Sequence, residues 1–293
     1  MGYLSIRGVD HYYEWISVAG RSHDLHQPHP GKPVMVFLHG WGGSARYWES
    51  TAASLSASFD CLLYDLRGFG RSRLPRPVPA DVEALGYAIE GYGDDLVLLL
   101  DAMGLDQVDL NAHSTGASVA ALFIQQYPNR VRRAILTCSG IFDYNPLTFS
   151  AFHRASEYVV RFRPRWLLRI PQIDRLFMSR FLKRPIPPRE RQAFLNDYLQ
   201  ADFEAAMGTV YTAVSQHAAQ VMPAAFRQIT VPTLLFSGEY DQIIPVRLGT
   251  KAASLSSRIQ HVVLPDTGHF PMLEDPAAYL EAVKAFLVAS VER

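Results

Sequence analysis

Apolar and polar positions alternate along this chain with two periods, and the switches between them predict its elements. Residues 4–7 and 11–18 alternate apolar with polar side chains, the pattern of half-buried strands, and Gly8-Val9-Asp10 between them predicts a hairpin. Residues 33–38, 60–64, 131–137 and 231–237 are instead short continuous apolar runs. Such runs fit strands covered on both faces, as in a parallel sheet. Two more strands are predicted at 107–110 and 260–264. Helical periodicity fills the gaps. One helix starts from a Ser44 cap and runs through Trp48 and Leu55, and another covers 92–103 with Leu96, Leu99, Leu100 and Met103 on one face. Others cover 117–127, the stretch around Leu248 and Ala252, and 275–288. Strands alternating with helices predict an α/β fold, a mostly parallel sheet of eight strands with helices on both faces.

The alternation stops between 141 and 228, where prolines, arginines and aromatics accumulate and helices are predicted at 151–162, 164–181, 188–199 and 203–220. The chain of 293 residues suits a core of about two hundred residues carrying such an insertion. The division expected is a core of 1–140 and 229–293 with an all-helical cap, 141–228, inserted after the sixth strand.

Composition narrows the function. The chain is 48% apolar and 19% charged, with 28 basic and 28 acidic residues, so no net field points to nucleic acid. Cys61 and Cys138 each sit in an apolar run, which predicts two buried, reduced thiols and a cytoplasmic setting. No signal core is expected at the N-terminus, and no apolar run approaches the roughly 20 residues of a membrane span. His23, His26 and His29 recur every third residue, but Pro28, Pro30, Gly31 and Pro33 break any helix that would align them. No metal site and no cofactor are expected.

The chemistry centres on Ala112-His113-Ser114-Thr115-Gly116, which joins a predicted strand to a predicted helix. A turn sharp enough to lift a serine hydroxyl clear of a sheet brings its flanks into contact, so only small residues fit two positions either side. Upstream, His39-Gly40-Trp41-Gly42-Gly43 follows a buried strand, and its glycines leave amides free to face a cleft. Asp241 and His269 each lie in the turn after a later strand, and in such sheets active residues collect beyond the strands' carboxyl ends. Ser114 needs a base to become nucleophilic, His269 can be that base, and Asp241 can hold and stabilise its imidazolium. Backbone amides of Trp41 and Thr115 would face the developing oxyanion. Asp143 competes with Asp241 for the acid role. Asp65 and Arg67 suggest a structural ion pair, while His39 and His113 are read as packed, hydrogen-bonded side chains.

These motifs in this order, with Asp65-Leu66-Arg67-Gly68-Phe69-Gly70-Arg71-Ser72, Gly238-Glu239-Tyr240-Asp241 and Gly268-His269, resemble the α/β-hydrolase superfamily. The resemblance covers the chain outside the helical insertion, which falls where that family carries its cap. It implies a serine esterase cleaving a carboxylic ester of an apolar acyl substrate through an acyl-enzyme, with Trp41, Phe270 and Trp166 against the substrate. Thioester cleavage is the nearest rival. Carbon–carbon bond hydrolysis is lowered because Phe270 stands where such enzymes often have tryptophan. A catalytically silent receptor on the same fold is the non-enzymatic alternative. The oligomeric state is left open.

From Arg154 to Arg191 the insertion holds eleven basic residues against Glu157, Asp174 and Glu190, about +8 in a neutral chain, interleaved with aromatic and aliphatic side chains. This composition predicts either a cap packed on the core or a lid whose basic, aromatic face meets anionic lipid.

Overall fold

A computed structural model describes residues 2–22 and 31–290; His23, His26 and His29 lie outside the described residues. The described strands are β1 Gly2–Ile6, β2 Val9–Ser17, β3 Gly20–Ser22, β4 Val34–Leu38, β5 Asp60–Tyr64, β6 Val108–His113, β7 Val131–Thr137, β8 Thr233–Gly238 and β9 Ile259–Leu264. Eight of them make one path, β1-β2-β5-β4-β6-β7-β8-β9, with the three-residue β3 paired to β2 beside it. Pairing is parallel from β5 to β9 and antiparallel among β1, β2, β3 and β5.

Alternation within β4 shows why its run is apolar throughout. Val36 and Leu38 enter one core beneath helices Ile89–Ala102 and Thr115–Gln126, while Met35 and Phe37 enter the other beneath Glu49–Leu55 and Pro276–Ala289. The first hairpin turns tightly on Arg7 and Gly8, both at positive φ (52° and 74°), so β2 begins at Val9. Both cysteines are buried and free. Among the described residues no helix is long and apolar enough to cross a membrane.

Between β7 and β8 the described chain is helical only, but two predicted helices are broken. The stretch 164–181 divides into a 3-10 turn, Arg165–Arg169, and a helix, Ile173–Met178. Pro171 forces the break, because it lacks an N–H and pushes Ile170 into extended backbone (φ −81°, ψ 121°). The second divides into Phe203–Ala213 and Gln216–Arg227, since Ser215 accepts from the amide of Ala218 and restarts the helix. Met222, Ala225 and Phe226 of that last helix enter the core beside the helix Thr115–Gln126, so it belongs to the sheet's own helical layer.

The ion pair expected between Asp65 and Arg67 is replaced by two others. Asp65 grips Arg71 with both oxygens (2.7 and 3.0 Å) and also accepts from the amides of Ala45 and Arg71, whereas Arg67 pairs with Asp95 at 2.7 Å. The intervening turn folds Arg71 back over the carboxylate. Gly70 (φ 53°) must be glycine there, as a Cβ would stand 2.4 Å from Asp65 Oδ2. Burial pushes the Asp65 carboxyl up, but Arg71 outweighs it and the net shift is downward.

Buried acids join the insertion to the core. Asp202 accepts from Arg73 (2.7 Å) and the amide of Leu74 (2.7 Å), and Asp197 accepts from Ser44 Oγ and Arg46. Burial raises the Asp197 carboxyl to about 6 despite Arg46 and Ser44. An unfolded aspartate titrates near 3.9, so between about pH 4 and 6 the folded chain holds a proton the unfolded chain has released. This group's contribution to stability therefore falls as pH rises through that window, by about 3 kcal/mol at 1.36 kcal/mol per pH unit. Asp197→Asn should remove that slope from chemical-denaturation curves measured across the window; an unaltered slope would mean Arg46 keeps the carboxylate charged throughout.

Candidate active site

β6 ends at His113, the helix Thr115–Gln126 begins one residue after the next, and Ser114 makes the turn with φ 54° and ψ −119°. A non-glycine residue with positive φ stores strain, here held by packing on both sides. Ala112 is fully buried in the core. A Cβ on Gly116 would stand 2.5 Å from the carbonyl oxygen of His39, so only glycine fits at that flank. The glycine loop after β4 is pressed against this turn, since a Cβ on Gly40 would lie 3.0 Å from the Cβ of Ser114.

Three of the residues singled out from the sequence meet in one hydrogen-bonded chain. Ser114 Oγ lies 3.0 Å from His269 Nε2, and His269 Nδ1 lies 2.8 Å from Asp241 Oδ2. The other oxygen of Asp241 accepts from the amides of Ile243 (2.8 Å) and Ile244 (3.0 Å). Burial pushes this carboxyl up, but His269 and the two amides outweigh it, and its pKa falls below the ordinary aspartate value. The carboxylate thus stays charged and fixes the proton on Nδ1, which leaves Nε2 free to accept from Ser114. Asp143 is elsewhere, an exposed side chain paired with Lys251.

Two amides flank the serine. Thr115 is the first residue of its helix, whose N–H has no partner inside the helix. The turn bond of the glycine loop runs from Gly43 N to Gly40 O (3.3 Å) and leaves the Trp41 amide out.

The histidines read as packed are packed, and they tie these loops together. His39 accepts from the amide of Leu66 on Nε2 (2.8 Å) and donates from Nδ1 to Gly40 O (2.8 Å). His113 points beneath the site, with Nδ1 3.0 Å from Tyr47 Oη and Nε2 2.7 Å from the carbonyl of His269. Tyr47 Oη in turn accepts from the amide of Gly40. A neutral His113, donating through Nε2, completes this path from the glycine loop to the loop that carries His269. Burial, reinforced by His269, drives its pKa far below the usual histidine value. His113, Cys138 and His269 bring ligand atoms within 4.8 Å of one another. Both rings are committed to the hydrogen bonds just described, and burial pushes the Cys138 thiol far up, so the trio is packed interior rather than a built metal site.

The three side chains expected against the substrate have different fates. Trp41 stays at the site, half-buried, donating to Ala206 O (2.9 Å) and packed 5.7 Å from Tyr198 of the insertion. Phe270 does not face a substrate. Its ring is 2% exposed, wedged among Tyr47, His113, Phe181 and Phe194, because it turns under the histidine loop. Trp166 is 51% exposed and packs on Phe162. Tyr198 and Phe177, whose rings lie 4.7 Å apart, stand over Trp41 instead. The signal for Tyr198 is its spacing with Phe194, Leu195 and Leu199, which marks the buried face of helix Pro188–Gln200.

A model of the alpha/beta hydrolase fold matches residues 33–276. The chain belongs to that family. Like its members named here, it is an enzyme of the hydrolase class. It is 27% identical over 274 residues to a putative carbamate hydrolase, RutD, of Pseudomonas savastanoi pv. phaseolicola, covering 91% of this chain and 98% of that one. It is 27% identical over 297 residues to 2-hydroxymuconate semialdehyde hydrolase of a Pseudomonas species, covering 93% and 92%. The structure of a thermophilic esterase from Thermogutta terrifontis superposes with a TM-score of 0.74 at 23% identity, covering 99% of this chain and 97% of that one.

Proposed function

We propose that this alpha/beta hydrolase is a serine esterase that cleaves a carboxylic ester of an apolar acyl group through an acyl-enzyme. The observation that carries the reading is the Ser114–His269–Asp241 chain at 3.0 and 2.8 Å. As Ser114 Oγ attacks the ester carbonyl, His269 Nε2 takes its proton, Asp241 stabilises the imidazolium, and the Trp41 and Thr115 amides receive the oxyanion. His269 then returns the proton to the leaving alcohol, and water repeats the sequence on the acyl-enzyme. The aromatic wall of Trp41, Tyr198 and Phe177 supports an apolar acyl group. In this reading 141–228 acts as the cap over a core of 1–140 and 229–293, with the helix Gln216–Arg227 as its root in the sheet's helical layer.

The test is a panel of p-nitrophenyl esters of rising chain length, with a fluorophosphonate probe as inhibitor. Ester turnover blocked by one probe equivalent on Ser114 is expected, while the matching thioesters are cleaved more slowly. Failure to label at Ser114 would overturn the assignment, and faster thioester cleavage would move the substrate to that class.

A specific observation also favours contact of the cap with anionic lipid. Tyr158 is 77%, Phe162 64% and Leu176 71% exposed, and with Trp166 they share the outside of the cap with Arg154, Arg161, Arg165, Arg169, Arg175 and Arg180. Among the described residues only Arg161 of these six has an acidic partner, Glu157. The inward side chains Leu167, Ile173 and Phe177 pack toward Trp41, Leu195 and Tyr198, so two opposite faces are apolar. Among the described residues only the inward one is covered by protein. Each arginine near an anionic surface contributes roughly 1 kcal/mol, screened by salt. The protein should sediment with phosphatidylserine-containing vesicles at low salt, not with phosphatidylcholine alone, and Trp166→Ala with Arg165→Glu and Arg169→Glu should weaken it. Arg163 is left intact in that variant because it holds the carbonyls of Val160, Tyr198 and Ala201. No sedimentation at low salt would reduce the cap to a cover.

A further inference from the structure

The loop that carries His269 is held from outside the sheet by one carboxylate. Glu274 ends the short helix Pro271–Glu274 and is 7% exposed. Its Oε1 accepts from the amides of Gly268 (3.0 Å) and Phe270 (3.1 Å), the two neighbours of His269, and the Gly268 amide is shared with Oε2 (3.0 Å). Its Oε2 accepts from the amides of Lys183 (2.6 Å) and Arg184 (2.9 Å), which belong to the helical insertion. Between these pairs, the amide of His269 donates to the carbonyl of Phe181 at 2.6 Å. The two segments are in van der Waals contact, since a Cβ on Gly268 would stand 2.5 Å from Phe181 O and 3.0 Å from Lys183 N.

We propose that Glu274 is a positioning residue, a four-amide clamp that sets the backbone on both sides of His269 and anchors the cap to the same point. A carboxylate offers about four lone-pair sites, and here backbone N–H groups from two distant segments occupy them. Charge-assisted bonds of this kind are roughly twice as strong as neutral ones. The clamp makes residues 181–184 a second fixed point of the cap, besides the helix Gln216–Arg227. It also makes the reach of His269 Nε2 to Ser114 depend on a cap contact. A glutamine cannot replace it. Whichever way its amide is turned, an NH2 group faces N–H donors: one orientation leaves the amides of Lys183 and Arg184 without an acceptor, the other that of Phe270.

The proposal rests on His269 acting as the base, and the experiment separates the two ideas. Glu274→Gln and Glu274→Asp are compared with wild type for ester turnover, fluorophosphonate labelling, thermal melting and hydrogen exchange of peptides spanning 181–184 and 268–270. E274Q should lose on the order of 10- to 100-fold in kcat and labelling rate, the cost of a misplaced group, with KM little changed. E274D, which keeps the charge, should regain part of that loss, and exchange should quicken at a clamped segment in E274Q. Wild-type kcat and labelling rate in E274Q would overturn the proposal whatever its melting temperature. If E274Q does not fold, E274D decides: slower labelling at unchanged melting supports the clamp, and a wild-type rate refutes it. If wild-type enzyme is never labelled, the esterase reading fails instead. Exchange then judges the clamp alone, sustained by joint protection of the two segments that E274Q abolishes and refuted by its persistence.

Discussion

Ser114→Ala should lower kcat/KM by about 10⁴-fold or more, and His269→Ala should do the same, because neither partner of a nucleophile–base pair works without the other. The two variants should differ in stability. Alanine at 114 keeps the backbone turn at φ 54° and removes only a hydroxyl, so melting should stay near wild type. His269 is 3% exposed, and its removal leaves Asp241, itself 5% exposed, without the partner of its Oδ2 atom. Breaking a buried pair from one side costs several kcal/mol, so His269→Ala should melt lower as well as being inactive. Both quantities come from one preparation: ester kinetics and a melting curve. More than about a tenth of wild-type activity in either variant would remove that residue from the mechanism.

Asp241→Asn should also lose on the order of 10⁴-fold in rate, and Asp143→Asn should stay within about twofold of wild type. The carbonyl of an asparagine at 241 would be drawn to the amides of Ile243 and Ile244, which Oδ1 already serves. Its NH2 would then face His269 Nδ1, which must accept rather than donate. The ring proton moves to Nε2, the atom that should receive the proton of Ser114, and the base is disabled with its geometry intact. Among the described residues Asp143 bonds only to Lys251, at the surface, so its charge has no route to the imidazole. The opposite result would transfer the acid to the turn after β7.

Elements whose signal is local were legible without coordinates. The serine turn is written in five consecutive residues, Ala112 to Gly116, because the steric conflict it must relieve is between near neighbours. The buried strands were legible because cover on both faces demands apolar residues at successive positions. Pro171, which splits one helix of the insertion, was equally visible, although periodicity on either side overrode it in the prediction of a single helix.

Partners across space were not legible. Nothing in the spacing of Asp65, Arg67 and Arg71 says that the turn folds the more distant arginine onto the acid and sends the nearer one to Asp95. Phe270 follows His269 in sequence but turns into the interior, because its backbone is fixed by Glu274 and its ring fills a space walled by Tyr47, His113 and Phe194. The sequence alone determined the order of the eight strands of the main path, the family motifs and the identity of the three groups in the Ser114–His269–Asp241 chain. Tertiary structure alone decided which apolar face of the insertion is covered, which acid–base pairs form, and that Glu274 gathers amides 90 and 91 residues before it together with those beside it. The reason is physical: periodicity reports that a face is apolar, whereas its partner is chosen by shape and hydrogen-bond geometry among segments that folding brings together.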